Sequence, residues 1–215
     1  MATHIHDQQS VFIESVGVKG LLGVPQPAVG TIVFAHGSGS GRFSPRNNYV
    51  AEGLRSAGFA TLLIDLLTPH EEDDRAKVFD IPLLATRLAA ATEWLFDMPS
   101  VADLPVGYFG ASTGAGAALL AASVAPRRIG AVVSRGGRPD LAGSPALSRV
   151  RAPTQLIVGA LDSVVIELNR EAMTHLRCEH ELVIVPNAHH LFEDPGALDS
   201  VIGHATRWFR NHLIS

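Results

Sequence analysis

Gly110-Ala111-Ser112-Thr113-Gly114 follows the apolar run Val106 to Phe109 and precedes a stretch of small residues, Ala115 to Ala125. A serine on so sharp a strand-to-helix turn is forced into a strained backbone conformation, and only small residues fit two positions before and after it; both are glycine here. The turn would present the Ser112 hydroxyl at a helix N-terminus, where free N–H groups and the helix dipole favour developing negative charge. A chain with 20 glycines could also carry this string as an inert turn, so its context decides. A serine hydroxyl is a weak nucleophile without a base, and the base needs a third group to orient it. Both occur downstream, at the ends of apolar runs: Asp162 after Gln155 to Gly159, and His189-His190 after Leu182 to Val185. Open parallel sheets gather ligands at such strand ends. Successive residues of an extended loop face opposite ways, so one histidine of the pair faces Ser112. Asp162 could instead cap a helix starting near Val165, while Glu193 and Asp194 are further acids better placed to begin the last helix.

A common rim requires apolar strands that alternate with helices, and the sequence has them. Thr31 to Ala35, Ala60 to Leu66, Pro105 to Phe109, Ala131 to Ser134, Gln155 to Gly159 and Leu182 to Val185 are too continuous for half-exposed strands. They predict a parallel sheet covered by helices on both faces. Val11 to Glu14 and Val18 to Val24, with Ser15 to Gly17 between them, read as an antiparallel pair at the sheet edge. Helices are expected over Asn47 to Ala57, Ile81 to Phe96, Thr113 to Ala125, Val165 to Leu176 and Pro195 to Leu213, the last capped by Asp194. With 215 residues and no repeat or linker, one α/β domain over 1–215 is expected, residues 1–10 being a flexible N-terminus. The acidic run Glu71 to Asp74 reads as a solvated loop.

With its candidates in the order Ser, Asp, His, the chain resembles the α/β-hydrolase fold from Val11 to Leu213. It is similar, more narrowly, to the small dienelactone-hydrolase-like branch, through His36-Gly37-Ser38-Gly39-Ser40-Gly41-Arg42, Ser44-Pro45-Arg46-Asn47 and Ser134-Arg135-Gly136-Gly137-Arg138-Pro139-Asp140-Leu141-Ala142-Gly143. The resemblance implies a mostly parallel sheet of about eight strands and a carboxylic ester hydrolase working through an acyl-enzyme. Dienelactone hydrolases proper carry a cysteine nucleophile where this chain has Ser112, so an ordinary ester is as good a candidate substrate as a lactone. In related hydrolases the base precedes a Leu-Phe-like step, which selects His190 and leaves His189 as a neighbour. The oxyanion hole needs a first donor in the Thr113 backbone N–H. By resemblance to the family's His-Gly loop the second comes from Ser38, with Gly39 in reserve, and His36 is expected to brace that loop.

Between Ser134 and Gln155 there is room for a turn or two of helix and none for a lid, so a shallow, open site for small esters, thioesters or lactones is expected. Arg42, Arg46, Arg135 and Arg138 all lie in loops leaving strand ends. Their planar forks suit an anionic group on the substrate, although Arg138 could equally brace its loop through Asp140. With 17 basic against 21 acidic side chains and a net charge of -4, nothing draws the chain toward nucleic acid or anionic membrane. No apolar run reaches the ~18 residues of a membrane span. Cys178, the lone cysteine, excludes disulfide scaffolding and fits a reducing, cytoplasmic setting. The pairs His4 with His6 and Cys178 with His180 lack metal-ligand spacing, and no metal or cofactor is expected. A dinucleotide reading of Gly37 and Gly39 fails, because the third glycine position is Arg42 and Ser44-Pro45-Arg46 is expected to delay the helix. The rival functions are a catalytically silent binding module of the same fold and an acyltransferase or perhydrolase using the same triad. A homodimer through the outer strand or the last helix is compatible with the pattern.

Overall fold

The computed structural model describes residues 8–125 and 128–214. Its strands are β1 (Gln8–Ile13), β2 (Val18–Gly23), β3 (Thr31–Ala35), β4 (Ala60–Ile64), β5 (Val106–Ala111), β6 (Ile129–Arg135), β7 (Thr154–Gly159) and β8 (His180–Val185). They form one eight-stranded sheet in the order β1-β2-β4-β3-β5-β6-β7-β8. β2 pairs antiparallel with β1 and with β4, and every other neighbouring pair is parallel. The helices are α1 (Pro45–Ser56), α2 (Pro69–Glu72), α3 (Arg75–Val78), α4 (Ile81–Phe96), α5 (Thr113–Val124), α6 (Ser144–Leu147), α7 (Ser163–Met173) and α8 (Ala197–Leu213). This is the mostly parallel α/β architecture that the alternating runs imply.

Strand side chains alternate between two cores. Ile32, Phe34 and Phe109 pack with Val50 and Leu54 of α1 and Phe209 of α8, whereas Val33, Tyr108 and Val132 pack with Leu88 of α4, Ala118 of α5 and Ala172 of α7. Burying each large apolar side chain stabilises by roughly 1.5–3 kcal/mol, which fixes the register of the central strands and so the height of their C-terminal ends. Between β6 and β7 there is only a single 3-10 turn (Pro139–Ala142) and the four-residue α6, so no cap domain is inserted there.

Some boundaries differ from expectation, each for a local reason. Gln8 to Ser10 are the first residues of β1 rather than flexible chain, because they pair with Gly23 to Leu21. Residues 1–7, including His4 and His6, lie outside the described residues. β8 is an edge strand with Glu181 and Ile184 exposed, not a strand covered on both faces. Ser44 and Pro45 start α1 instead of delaying it: Ser44 Oγ accepts the Asn47 N–H and Pro45 needs no N–H partner there. α8 begins at Ala197 behind Gly196, with φ +76°, because the Asp194 carboxylate is used elsewhere. The acidic run forms α2 and the cap of α3. Glu71 accepts the Thr68 backbone N–H and pairs with Arg87 at 3.0 Å, which hold its carboxyl down to about 2.

Candidate active site

β5 delivers Ser112 to the rim through a turn that few residues tolerate. Ser112 has φ +51° and ψ −124°, outside the regions open to ordinary side chains. The glycines on either side permit the turn. A Cβ at Gly110 would stand 2.5 Å from Ala115 Cα, and one at Gly114 would stand 2.1 Å from the Ala35 carbonyl oxygen. Ser112 occupies the N-cap position of α5, yet its side chain makes no capping bond, and among the described residues its Oγ has no hydrogen-bond partner. The Ser112 N–H donates to the Arg135 carbonyl at 3.3 Å and its carbonyl accepts from Arg138 N–H at 3.0 Å, so the β6 exit holds the turn from beside it.

Asp162 and His190 meet above the last two parallel strands. His190 Nδ1 lies 2.6 Å from Asp162 Oδ2, so Nδ1 carries the proton and Nε2 is the other, unprotonated ring nitrogen. Asp162, like Ser112, sits at an N-cap, of α7, without using its side chain there. The two loops come together because Gly159 leaves space: a Cβ there would stand 2.3 Å from the Ala188 carbonyl, which instead accepts the Leu161 N–H at 3.0 Å. The histidine loop is held in shape by left-handed residues at Asn187 and Phe192, each with φ +57°. Gly136 lies beneath it, its Cβ direction 3.0 Å from the His190 carbonyl and 3.6 Å from Nδ1. The segment 135–138 therefore touches both Ser112 and His190. His189 turns outward and pairs with Asp194, whose carboxyl is held low by the His189 backbone N–H and then by the ring. Glu193, the other acid near the histidines, reaches Arg46 at 2.5 Å.

The loop after β3 closes over the turn. Ser38 N–H donates to Thr113 Oγ1 at 3.1 Å, while Thr113 N–H, at the first position of α5, has no helical carbonyl to meet. The Ser38 N–H, one of the two expected oxyanion donors, thus meets the side chain of the residue that carries the other, with Gly39 next in the loop at φ +67°. His36 braces this loop from below. The Leu66 N–H donates to its Nε2 at 2.9 Å, which puts the ring proton on Nδ1, 2.9 Å from the Gly37 carbonyl. Burial pushes its pKa below the usual histidine value. Leu66 spends its N–H here, which is why β4 stops at Ile64 and not at Leu66. Beside the turn, a cavity of about 710 Å³ is bounded by the 36–46 loop, Asp65 to Leu67, Glu72 and Thr113.

The four rim arginines have separate fates. Arg42 forms an ion pair with Asp65, which also accepts its backbone N–H at 2.8 Å. Arg138 is held by both oxygens of Asp140, at 2.9 and 2.7 Å. Arg46 meets Glu193. Arg135 is buried, donates to Asn47 Oδ1 at 3.2 Å and has no carboxylate partner among the described residues. Burial, with the nearby Arg46 charge, pushes its guanidinium down to about 10. Asp65 and Asn47 are not marked for these contacts in the sequence, since they act across 23 and 88 residues.

The fold and this arrangement define an α/β hydrolase of the cap-less kind. No family model matches the chain. It is 55% identical to a dienelactone hydrolase from Anabaena variabilis of known structure, over 96% of this chain and 97% of that one, with a TM-score of 0.90. The chain belongs to the dienelactone-hydrolase-like branch of the α/β hydrolases. Est1E from Butyrivibrio proteoclasticus shares the fold, with a TM-score of 0.79 at 15% identity over 95% of this chain and 98% of that one. Two Mycobacterium tuberculosis proteins that carry the provisional name phosphoribosyl transferase are 58% identical over 207 residues. The match takes in 96% of this chain and 46% of theirs, so the chain spans about half the length of these curated relatives.

Proposed function

We propose that the chain is a serine carboxylic ester hydrolase acting on small esters or lactones. The observation that carries this reading is the unpartnered hydroxyl of Ser112 on a turn with positive φ, held by the same 135–138 segment that touches a histidine whose Nδ1 is already committed to Asp162. His190 Nε2 takes the Ser112 proton as Oγ attacks the ester carbonyl. The tetrahedral oxyanion is received by the Thr113 N–H and by the Ser38 N–H, which exchanges the weakly accepting Thr113 hydroxyl for the charged oxygen. His190 returns the proton to the departing alcohol, and the same nitrogen then activates water to release the acid. Asp162 keeps the ring in the required tautomer. The name of the similar protein of known structure, a dienelactone hydrolase, supports the reaction class, and the lack of an inserted domain between β6 and β7 supports small substrates.

The experiment is release of 4-nitrophenol from a short acyl ester together with labelling by a fluorophosphonate. Both are expected from the native chain and neither from Ser112→Ala. Turnover that persists in the variant would remove Ser112 from the reaction.

A further inference from the structure

Asn169 stands in the middle of α7 with 0% exposure, a buried amide that the proposed chemistry does not use. Its Nδ2 donates to two carbonyls: that of Val165, one turn back on the same helix, at 2.7 Å, and that of Gly137, in the exit from β6, at 3.0 Å. Two acceptors fix the orientation of the amide, since the reverse one would set its oxygen against both carbonyls. Oδ1 has no partner among the described residues. Burying an acceptor unmet is costly and an apolar side chain would avoid it, so what an amide contributes here is the bonds of its N–H groups.

The bond to Gly137 crosses the site. β6 lies between β5 and β7, so its exit segment, 135–138, lies between the exit that carries the nucleophile and the exit that carries the acid. On one side the Arg135 carbonyl accepts the Ser112 N–H at 3.3 Å and the Arg138 N–H donates to the Ser112 carbonyl at 3.0 Å. On the other, Gly136 abuts the His190 carbonyl. Gly137 itself is pressed onto β6 and α5, since a Cβ there would stand 1.9 Å from Ser134 Oγ and 2.5 Å from Ala115 Cβ. α7 begins from Asp162, whose carbonyl accepts the Ile166 N–H at 3.0 Å. Among the described residues, the bond from Asn169 to Gly137 is the only hydrogen bond between α7 and this segment.

We infer that Asn169 is a positioning residue for the triad: it locks the segment that holds Ser112 to the helix that starts from Asp162, and so keeps the nucleophile in register with the Asp162–His190 pair. It touches no reacting atom. The inference rests on the serine-hydrolase reading and adds a residue to it. A misplacement of about 1 Å between reacting groups costs up to roughly a hundredfold in rate. Binding in the cavity beside the 36–46 loop should be spared, because Asn169 does not border it.

The test is Asn169→Ser in the full chain, whose hydroxyl can still bond the Val165 carbonyl within α7 but is one bond too short for Gly137. Asn169→Ala removes both bonds, and should either variant fail to fold the other carries the test. On a short 4-nitrophenyl ester kcat should fall about ten- to a hundredfold with KM within about threefold of native. Fluorophosphonate labelling provides a readout that loss of fold would not imitate. It should slow by a similar factor yet reach full stoichiometry, whereas a partly unfolded population would label at the native rate to a reduced extent. In an Asp162→Ala background, where the imidazole is already unheld, Asn169→Ser should cost less than about threefold. A native kcat, substoichiometric labelling at the native rate, or the same loss with and without Asp162 would each overturn the proposal. Failure of the serine reading is separately visible, as a native chain that is not labelled or as labelling that survives Ser112→Ala.

Discussion

Replacing Asp162 by alanine separates a catalytic aspartate from a structural one, because the residue stands where an aspartate would ordinarily cap a helix. If Asp162 were a working N-cap, its loss would cost about 1 kcal/mol or more and leave chemistry intact. In the structure no capping bond exists to be lost, and the carboxylate lies 2.6 Å from His190 Nδ1 with its side chain 14% exposed. What Asp162→Ala removes from stability is the interaction of its charge with the α7 N-terminus and a partly exposed pair with His190. These total roughly 1 kcal/mol, or about 2–4 °C in Tm for a domain of this size. The effect on catalysis is far larger. Without the carboxylate the imidazole loses its tautomer and orientation, and loss of a triad acid lowers kcat by roughly a thousand- to ten-thousandfold. Steady-state hydrolysis of a 4-nitrophenyl ester and a thermal melt on the same preparation give both numbers. The melt falls by a similar few degrees on either reading, so a kcat within tenfold of native would show a structural aspartate and remove the triad.

Ser112→Gly should raise Tm, since glycine adopts φ +51° freely and this backbone strain is worth roughly 1–3 kcal/mol, while abolishing turnover; Ser112→Ala should be equally inactive without the gain, and equal melts for the two would disprove strain at the turn. In Gly114→Ala the new Cβ would fall 2.1 Å from the Ala35 oxygen and 2.5 Å from that of His36, prising α5 from the 36–39 loop. Its kcat should fall about a hundredfold or more as the two oxyanion donors separate, and a native kcat would show that they are not the donors. His36 contributes to acid lability. Its folded pKa lies below 6.5, so the unfolded chain binds the extra proton. That contribution is intact above about pH 6.5 and declines as pH falls through 6.5 toward the lower folded value. Urea midpoints between pH 8 and 5 should fall in the native chain and fall less in His36→Asn; parallel curves would count against a neutral, buried His36.

Much of this was readable because it is set by short-range pattern. Continuous Val, Ile and Leu runs mark strands buried on both faces, and the two glycines around Ser112 mark a turn that other residues would block. The boundaries that moved did so where a backbone group found a partner far along the chain. β4 ends when Leu66 donates to His36, thirty residues away, and α8 starts late because Asp194 turns back to His189. The rim arginines show the same limit more sharply. Their type and position at strand ends are visible in the sequence, yet whether each is spent depends on Asp65, Glu193, Asp140 or Asn47, and only the packing of α1 against the β6 exit and the histidine loop decides which remains unpaired.

The two residues that matter most expose an ambiguity no local pattern can resolve. Serine and aspartate are favoured at N-caps because their oxygens accept helix N–H groups, and the same oxygens attack carbonyls or orient imidazoles. Ser112 before α5 and Asp162 before α7 fit either use. Each declines the cap: one oxygen is left free and the other is turned onto His190. Forgoing a cap costs about 1 kcal/mol of helix stability, so two such losses at the exits of β5 and β7, on either side of β6, need a common cause. A nucleophile and its distant partner in one proton-transfer chain is such a cause. Ser44 provides the contrast within the same rim, since its Oγ does cap α1 through Asn47 and is thereby unfit for chemistry.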